Sequence, residues 1–116
     1  MVRREYLIKK PVVYSVEFHK DLFNIATYTL LKFGSKSSVD LKQRVYSATD
    51  NLSTRYLSHS ECRFLETKSK MYRTIPIKRF ASVLYRIKPT RIEVLSMYPN
   101  ARATATFVRN LRRIKI

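Results

Sequence analysis

Glycine and cysteine are almost absent from this sequence, and histidine is rare. Gly34 is the only glycine and Cys62 the only cysteine among 116 residues. A lone cysteine excludes a disulfide within the chain and a cysteine-cluster metal site, and it fits a reducing compartment. The two histidines, His19 and His59, stand far apart, and no paired zinc ligands accompany them. We therefore expect no metal and no cofactor.

Long apolar runs are also missing. No stretch reaches the roughly 18 apolar residues that a membrane-spanning helix needs. Lys9 and Lys10 interrupt the segment after Arg3 and Arg4, where the apolar part of a signal peptide would begin. The sequence therefore predicts neither a membrane span nor a leader, and it predicts a cytoplasmic location.

Acidic residues are few, and basic residues dominate. The chain has 24 Lys and Arg against 8 Asp and Glu, a formal charge of +16 at pH 7. Glu93 is the only acid after residue 70. Such an excess is most easily tolerated beside a nucleic acid, a ribosome or an acidic protein. Length and an apolar content of 45% predict one folded domain over residues 1–116, with residues 1–11 as a flexible basic N-terminal segment.

Periodicity predicts a strand and a first helix near the N-terminus. Residues 12–18 alternate between apolar and polar side chains, which is typical of a half-buried strand. From Lys20 to Phe33 apolar residues recur every three or four positions, and Gly34 then marks the end of a helix. The stripe expected to face the core consists of Leu22, Ile25, Ala26, Thr29, Leu30 and Phe33.

A second helix is predicted directly after Gly34. Ser37 with Asp40 three residues later resembles a capping box at its start. Its apolar stripe consists of Leu41, Val45, Ala48 and Leu52. Two helices with so short a connection should form an antiparallel hairpin. Residues 58–70 have no clear period and are expected to form a loop.

The second half of the chain predicts three short strands joined by cationic turns. The strands cover residues 72–77, 82–87 and 91–98. The expected fold class is α+β, in the order β-α-α-β-β-β, with the helical hairpin packed on a small antiparallel sheet. Residues 103–113 are expected to form a basic C-terminal tail or helix.

Five segments in this order resemble the RelE/ParE family of toxins from type II toxin-antitoxin systems, and in particular ParE-like plasmid stabilisation proteins. The segments are VYSVEF (13–18), DLFNIATYTLLKFG (21–34), YRTIPIKRF (72–80), VLYRI (83–87), and IEVL with NAR (92–95 and 100–102). The resemblance spans residues 12–110. It implies a growth-inhibiting toxin that a cognate antitoxin neutralises by wrapping an extended segment around the hairpin and sheet.

The resemblance leaves the target open. ParE-like members inhibit DNA gyrase, whereas RelE-like members are ribosome-dependent endoribonucleases that cut translated mRNA, and both share one fold. Whether this chain is an enzyme therefore depends on its site. A basic nucleic-acid-binding module without toxin activity is a further alternative, based on the charge alone.

For RNA cleavage, the resemblance assigns the main role to Arg102. It aligns with the arginine that follows the last strand in such toxins, where it would stabilise the phosphate charge of the transition state. Pro99 stands where many relatives have a histidine, so Tyr98 is the candidate for proton transfer, although its ordinary pKa near 10 makes it a poor base. Further cations predicted to bind phosphate or target are Arg73, Lys78 and Arg79. Arg86 is instead expected to pair with Glu93 or Glu66 or to extend to water.

Four apolar or aromatic residues of the hairpin lie off its core stripe. They are Phe23, Tyr28, Leu31 and Tyr46. Because a small domain cannot bury all of them, we predict that they bind the antitoxin. That partner is expected to be acidic and partly disordered, which would offset the charge of the toxin in a hetero-oligomer.

Overall fold

The computed structural model describes residues 8–62, 67–68, 70–77 and 81–99. Its elements are β1 (Val12–Tyr14), α1 (Val16–Phe33), α2 (Ser35–Asp50), α3 (Leu52–Arg55), β2 (Tyr72–Ile77), β3 (Ala81–Ile87) and β4 (Ile92–Pro99). The predicted α+β class and the order of the main elements are confirmed. The prediction of a tail or helix over residues 103–113 lies outside the described residues.

The four strands form one sheet in the order β1-β4-β3-β2. The pairs β2–β3 and β3–β4 are antiparallel, as predicted, but β1 is parallel to β4. The sheet is therefore mixed and not purely antiparallel. The alternation of side chains predicts strands but not their partners, and here the helical hairpin carries the chain away from β1 before β4 returns beside it. A β-bulge places Leu95 between the pairs Leu84–Ser96 and Tyr85–Val94.

The boundary between β1 and α1 differs from the predicted one. β1 ends at Tyr14, and residues 16–18 form the first turn of α1 instead of continuing the strand. Ser15 ends the strand because its Oγ accepts a hydrogen bond from the Phe18 N–H (3.0 Å) and donates one to the Leu95 carbonyl (2.6 Å). An N-cap serine thus starts the helix four residues earlier than the periodicity indicates.

The turn between the two helices depends on Gly34. Its φ of 98° lies in the region that favours glycine, and its N–H donates to the Leu30 carbonyl at 3.0 Å. The predicted end of the first helix is confirmed. α2 begins immediately afterwards at Ser35, so the predicted capping box of Ser37 and Asp40 does not cap it.

The hydrophobic core lies between the two helices and one face of the sheet. α1 contributes Phe18, Leu22 and Ala26, and the stripe predicted for the second helix is buried at Leu41, Val45 and Leu52. The sheet contributes Ile75, Ile77, Ala81, Val83, Tyr85, Ile92, Val94 and Met97. Leu30 and Phe33, which were predicted to face the core, are instead 45% and 67% exposed. Both lie in the last turn of α1, where the chain reverses into α2.

Residues 8–11, the described part of the predicted N-terminal segment, are hydrogen-bonded to the rest of the domain. The Lys10 N–H donates to the Ser53 carbonyl, and the Ile92 N–H donates to the Pro11 carbonyl, both at 2.9 Å. These bonds connect the chain before β1 to α3 and β4. In the part of the chain that the structure describes, no helix is long and apolar enough to cross a membrane.

Candidate interaction surfaces

The outward side of α1 carries large apolar side chains that the core does not cover. Phe23 is 68% exposed and Leu31 is 80% exposed. Val16, Phe23 and Leu30 follow one another at seven-residue intervals, so they lie in one line along the helix. We call Val16, Phe23, Leu30 and Leu31 the α1 outer surface. Sequence reasoning found Phe23 and Leu31, but it assigned Val16 to a strand and Leu30 to the core.

The other two predicted antitoxin-binding residues are exposed in different places. Tyr28 lies about 140° around the helix axis from Phe23 but only about 60° from Leu31, because successive residues are about 100° apart. The Lys32 ammonium lies 5.9 Å from the centre of the Tyr28 ring. Tyr46 belongs to α2 and is only 38% exposed. Tyr46 therefore lies on a different helix from the other three predicted residues.

Tyr46 belongs to an aromatic cluster beside β1. Its ring centre lies 6.3 Å from that of Tyr14 and 6.5 Å from that of Phe18, and the Tyr14 and His19 rings are 5.8 Å apart. The Tyr14 hydroxyl is 2.8 Å from the Thr49 hydroxyl of α2, which fixes the position of the ring. Burial raises the pKa of Tyr14. We call Tyr14, Phe18, His19 and Tyr46 the aromatic cluster.

On the opposite face of the sheet, a buried carboxylate holds two arginines. Glu93 is 0% exposed, and it accepts bonds from Arg86 Nε (2.7 Å) and Arg91 Nε (2.6 Å). Burial raises the pKa of Glu93, but hydrogen bonds and charges from the two arginines outweigh burial, so the pKa lies below its ordinary value. Arg86 also donates to the Tyr72 hydroxyl at 3.3 Å. Of the alternatives expected for Arg86, the structure shows the pairing with Glu93.

Arg73 holds the loop that precedes β2. Its Nη1 donates to the carbonyls of Leu57 (3.1 Å) and His59 (2.9 Å), and its Nε donates to the Lys70 carbonyl (3.0 Å). Burial lowers the pKa of His59, and the charge of Arg73 lowers it further. This geometry gives Arg73 a structural role. The Nε and Nη1 donors of Arg73 are therefore directed at the protein's own backbone.

Comparison with solved structures identifies the architecture. The chain is similar to a structure described as the chromosomal ParDE TA system from P. aeruginosa, with a TM-score of 0.65 and 17% sequence identity. The similarity covers 78% of this chain and 96% of that chain. This chain has the RelE/ParE-like fold. No family model and no curated protein matches the sequence.

Of the residues predicted to take part in RNA cleavage, only Tyr98 belongs to the part of the chain that the structure describes. This residue lies near the end of β4, opposite Ser82 on β3, and it is half-buried. Met97 packs into the core, so the alternation along the strand directs Tyr98 to the sheet face away from the helices. Lys78, Arg79 and Arg102 lie outside the described residues. Their distances to Tyr98 are therefore not described either.

Sequence reasoning missed one ionisable residue beside β4. Asp21 of α1 accepts a hydrogen bond from the Met97 N–H at 3.1 Å. Burial raises the pKa of Asp21 to about 6, against the lowering effect of that bond, and Glu17 raises it further. An aspartate between lysine and leucine in a helix gives no sequence signal of such an environment.

Proposed function

We propose that this protein is the toxin of a type II toxin-antitoxin system and that an acidic antitoxin neutralises it by covering the α1 outer surface. The observation that carries the proposal is the fold, which is shared with the chromosomal ParDE TA system over 96% of that chain. A fold alone does not define a function. The surface and the charge of this chain supply the further support.

The α1 outer surface suits an apolar partner segment. Its side chains are large, they follow one helix face, and Phe23 and Leu31 are mostly exposed. Such a surface is unusual on a protein that works alone in water and is typical of binding sites. A formal charge of +16 favours an acidic partner, because association then reduces the repulsion among the cations.

We further propose that growth is inhibited by binding a protein target such as DNA gyrase, without chemistry on RNA. The support is the network around Glu93. Arg86 donates to Glu93 and to Tyr72, so each of its three donor nitrogens already has a partner within the protein. Pro99 replaces the histidine of many relatives, which removes the usual base. Ribosome-dependent mRNA cleavage through Tyr98 and Arg102 is the second candidate, favoured by the excess of cations after residue 70.

Induced expression separates these candidates. The chain is expressed alone and together with the protein encoded beside it, and growth is followed. We expect arrest when the chain is expressed alone and recovery on co-expression. In arrested cells, DNA breaks linked to gyrase support the protein-binding toxin, and purified chain should inhibit supercoiling by gyrase in vitro. New transcript ends at fixed codon positions would replace that mechanism with mRNA cleavage. Normal growth together with no complex would contradict the toxin proposal.

A further inference from the structure

One end of the sheet collects cations from three separate parts of the chain. β1 and β4 are parallel, and their first residues, Val12 and Ile92, pair with each other. β3 ends beside the start of β4, where Ile87 pairs with Ile92, and β2 starts beside the end of β3, where Tyr72 pairs with Arg86. The starts of β1 and β2 and the β3–β4 turn therefore meet at this end. We call it the basic end of the sheet, formed by Lys9, Lys10, Lys70, Lys88 and Arg91.

Hydrogen bonds hold the segment before β1 against the basic end. The Tyr56 hydroxyl donates to the Ile8 carbonyl at 2.7 Å. The Lys10 ammonium donates to the Lys88 carbonyl at 2.8 Å and lies 4.7 Å from the centre of the Tyr56 ring. Because Ile8 and Lys10 are both anchored, the backbone of Lys9 between them is held, while its side chain is exposed.

The β3–β4 turn and the start of β2 are held in the same way. The Lys88 N–H donates to the Arg91 carbonyl at 2.9 Å, which closes the turn. The Ile87 N–H donates to the Met71 carbonyl at 2.8 Å, and this bond places Lys70 beside the turn. Cations on a backbone that is already fixed lose less conformational freedom when they bind a partner.

Few acids neutralise the basic end. Glu93 is buried, and Arg86 and Arg91 already bind it. The Glu61 carboxylate accepts a bond from the Thr67 N–H. The other acids of the described residues all belong to α1 or α2, and they are Glu17, Asp21, Asp40 and Asp50. In the part of the chain that the structure describes, no lysine of the basic end forms an ion pair.

The width of the basic end fits the phosphates of double-stranded DNA. Four strands spaced about 4.8 Å apart place Lys9 and Lys70, at the two sides of the sheet, roughly 14 Å from each other. The major groove of B-DNA is about 12 Å wide, so cations at both sides of the basic end reach phosphates on both sides of the groove. The major groove of an RNA duplex is narrow. This geometry favours DNA over duplex RNA.

The tyrosines near the basic end do not suit a single-stranded nucleic acid. Unpaired bases are bound by stacking on exposed aromatic rings. Tyr56 is only 5% exposed, and the Lys10 ammonium lies against its ring. Tyr72 is half-buried, and the guanidinium carbon of Arg86 lies 5.8 Å from its ring centre. The phosphate backbone of a duplex needs cations and no stacking surface.

We propose that the basic end binds the phosphate backbone of double-stranded DNA without reading its sequence. Lysine and arginine neutralise phosphates whatever the bases are, so sequence preference is not expected. The basic end is separate from the α1 outer surface, so its binding of DNA does not depend on the proposed function. A contact with DNA raises the local concentration of the protein beside any target that works on DNA.

Binding to a short fluorescent DNA duplex of arbitrary sequence tests the proposal. The unchanged chain is compared with a variant that combines Lys9→Gln, Lys70→Gln and Lys88→Gln. We expect the affinity to fall about tenfold or more at about 50 mM salt. The slope of log K against log salt should become shallower by about 2 to 3, because each lost phosphate contact contributes about 0.9.

A matched control removes the same amount of charge from the helices. It combines Lys20→Gln, Lys36→Gln and Lys42→Gln, at exposed positions of α1 and α2. We expect the affinity to fall less than about threefold and the salt slope to stay almost unchanged. Equal effects of the two combined variants would show that DNA is attracted by net charge alone, and would overturn the inference.

Acetylation of lysines in the unchanged chain decides the question even if a variant fails to fold. Duplex DNA should protect Lys9 and Lys88 from the reagent and leave Lys36 and Lys42 reactive. Equal protection by single-stranded DNA or by an RNA duplex would overturn the assignment to double-stranded DNA. Protection by the protein encoded beside this chain, with none by DNA, would assign the basic end to an acidic partner and would also overturn it.

The toxin proposal is tested separately by growth. Growth arrest together with no binding of DNA at the basic end would overturn the DNA contact and leave the toxin proposal intact. DNA binding at the basic end together with normal growth and no antitoxin complex would support the DNA contact and contradict the toxin proposal.

Discussion

Asp21 on α1 accepts a hydrogen bond from the backbone N–H of Met97 on β4, with 3.1 Å between Oδ2 and N. The bond joins the helix to the strand just after the bulge at Leu95. Burial raises the pKa of Asp21 to about 6, above its value in an unfolded chain. Between about pH 4 and about pH 6 the folded protein therefore binds more protons at this site than the unfolded chain does.

The first prediction concerns the pH dependence that Asp21 causes. Because the folded state holds the extra proton, the free energy of unfolding decreases as the pH rises from about 4 to about 6, by about 1 kcal/mol once screening by solvent is allowed for. Asp21→Asn cannot ionise and keeps an oxygen acceptor for Met97. Urea unfolding from pH 4 to pH 7 should show a weaker decrease in the variant, which should equal or exceed the unchanged protein in stability at pH 7.

Asp50→Asn is the matched control for Asp21. Asp50 is an exposed aspartate at the end of α2. Its replacement should leave the decrease in stability over this pH range almost unchanged. Identical pH profiles for Asp21→Asn and the unchanged protein would show that Asp21 is not a buried proton-binding group.

The second prediction concerns the buried carboxylate of Glu93. Glu93→Gln removes the charge between Arg86 and Arg91, which then repel each other at the protein surface. We expect the free energy of unfolding to decrease by about 2–3 kcal/mol, somewhat less than for a fully buried pair because both arginines are partly exposed. Asp40→Asn breaks the exposed Asp40–Arg44 pair and should cost less than about 1 kcal/mol.

The pH dependence gives an independent check on Glu93. Its folded pKa is lower than the ordinary value, so its contribution is present above the unfolded pKa and is lost as the pH falls through the folded pKa. As the pH falls through this range, the free energy of unfolding should therefore decrease less in Glu93→Gln than in the unchanged protein. Equal losses for Glu93→Gln and Asp40→Asn at pH 7 would contradict a buried charge network.

The third prediction separates a structural role of Arg73 from a role in binding. Arg73→Met keeps an apolar stem but removes the bonds to the carbonyls of Leu57, His59 and Lys70. We expect a loss of about 1–2 kcal/mol in the free energy of unfolding. Arg55→Met, at an exposed arginine of α3, should change stability by less than about 0.5 kcal/mol. Unchanged stability with a loss of growth arrest would instead assign Arg73 to the target.

The alternation of apolar and polar residues predicts the bounds of the three strands after residue 70 almost completely. The predicted segments 72–77, 82–87 and 91–98 differ by at most a residue at each end from the observed strands. Alternating side chains and the turns between them carry that information within a few residues. The parallel pairing of β1 with β4 depends on contacts across some 80 residues, and a local pattern does not contain it.

The residues of the candidate surfaces were also predictable only where local spacing decides their exposure. Phe23 and Leu31 are off the buried stripe of a single helix, so helical spacing alone predicts their exposure. Asp21 has its environment set by Met97, 76 positions away, and spacing therefore says nothing about its pKa. Val16 was missed because a short alternating segment matches both a strand and the first turn of a capped helix.

The fourth prediction tests the α1 outer surface as the antitoxin contact. Phe23→Ser and Leu31→Ser remove apolar side chains that solvent already reaches, so each should change the free energy of unfolding by less than about 0.5 kcal/mol. Each should weaken antitoxin binding about tenfold or more in a titration calorimeter, because an apolar anchor is lost from the interface. Val39→Ser, at an exposed apolar residue of α2, is the control and should bind almost normally. Equal weakening by all three would mean that the antitoxin contacts both helices, whereas full affinity in the first two variants would place the contact elsewhere.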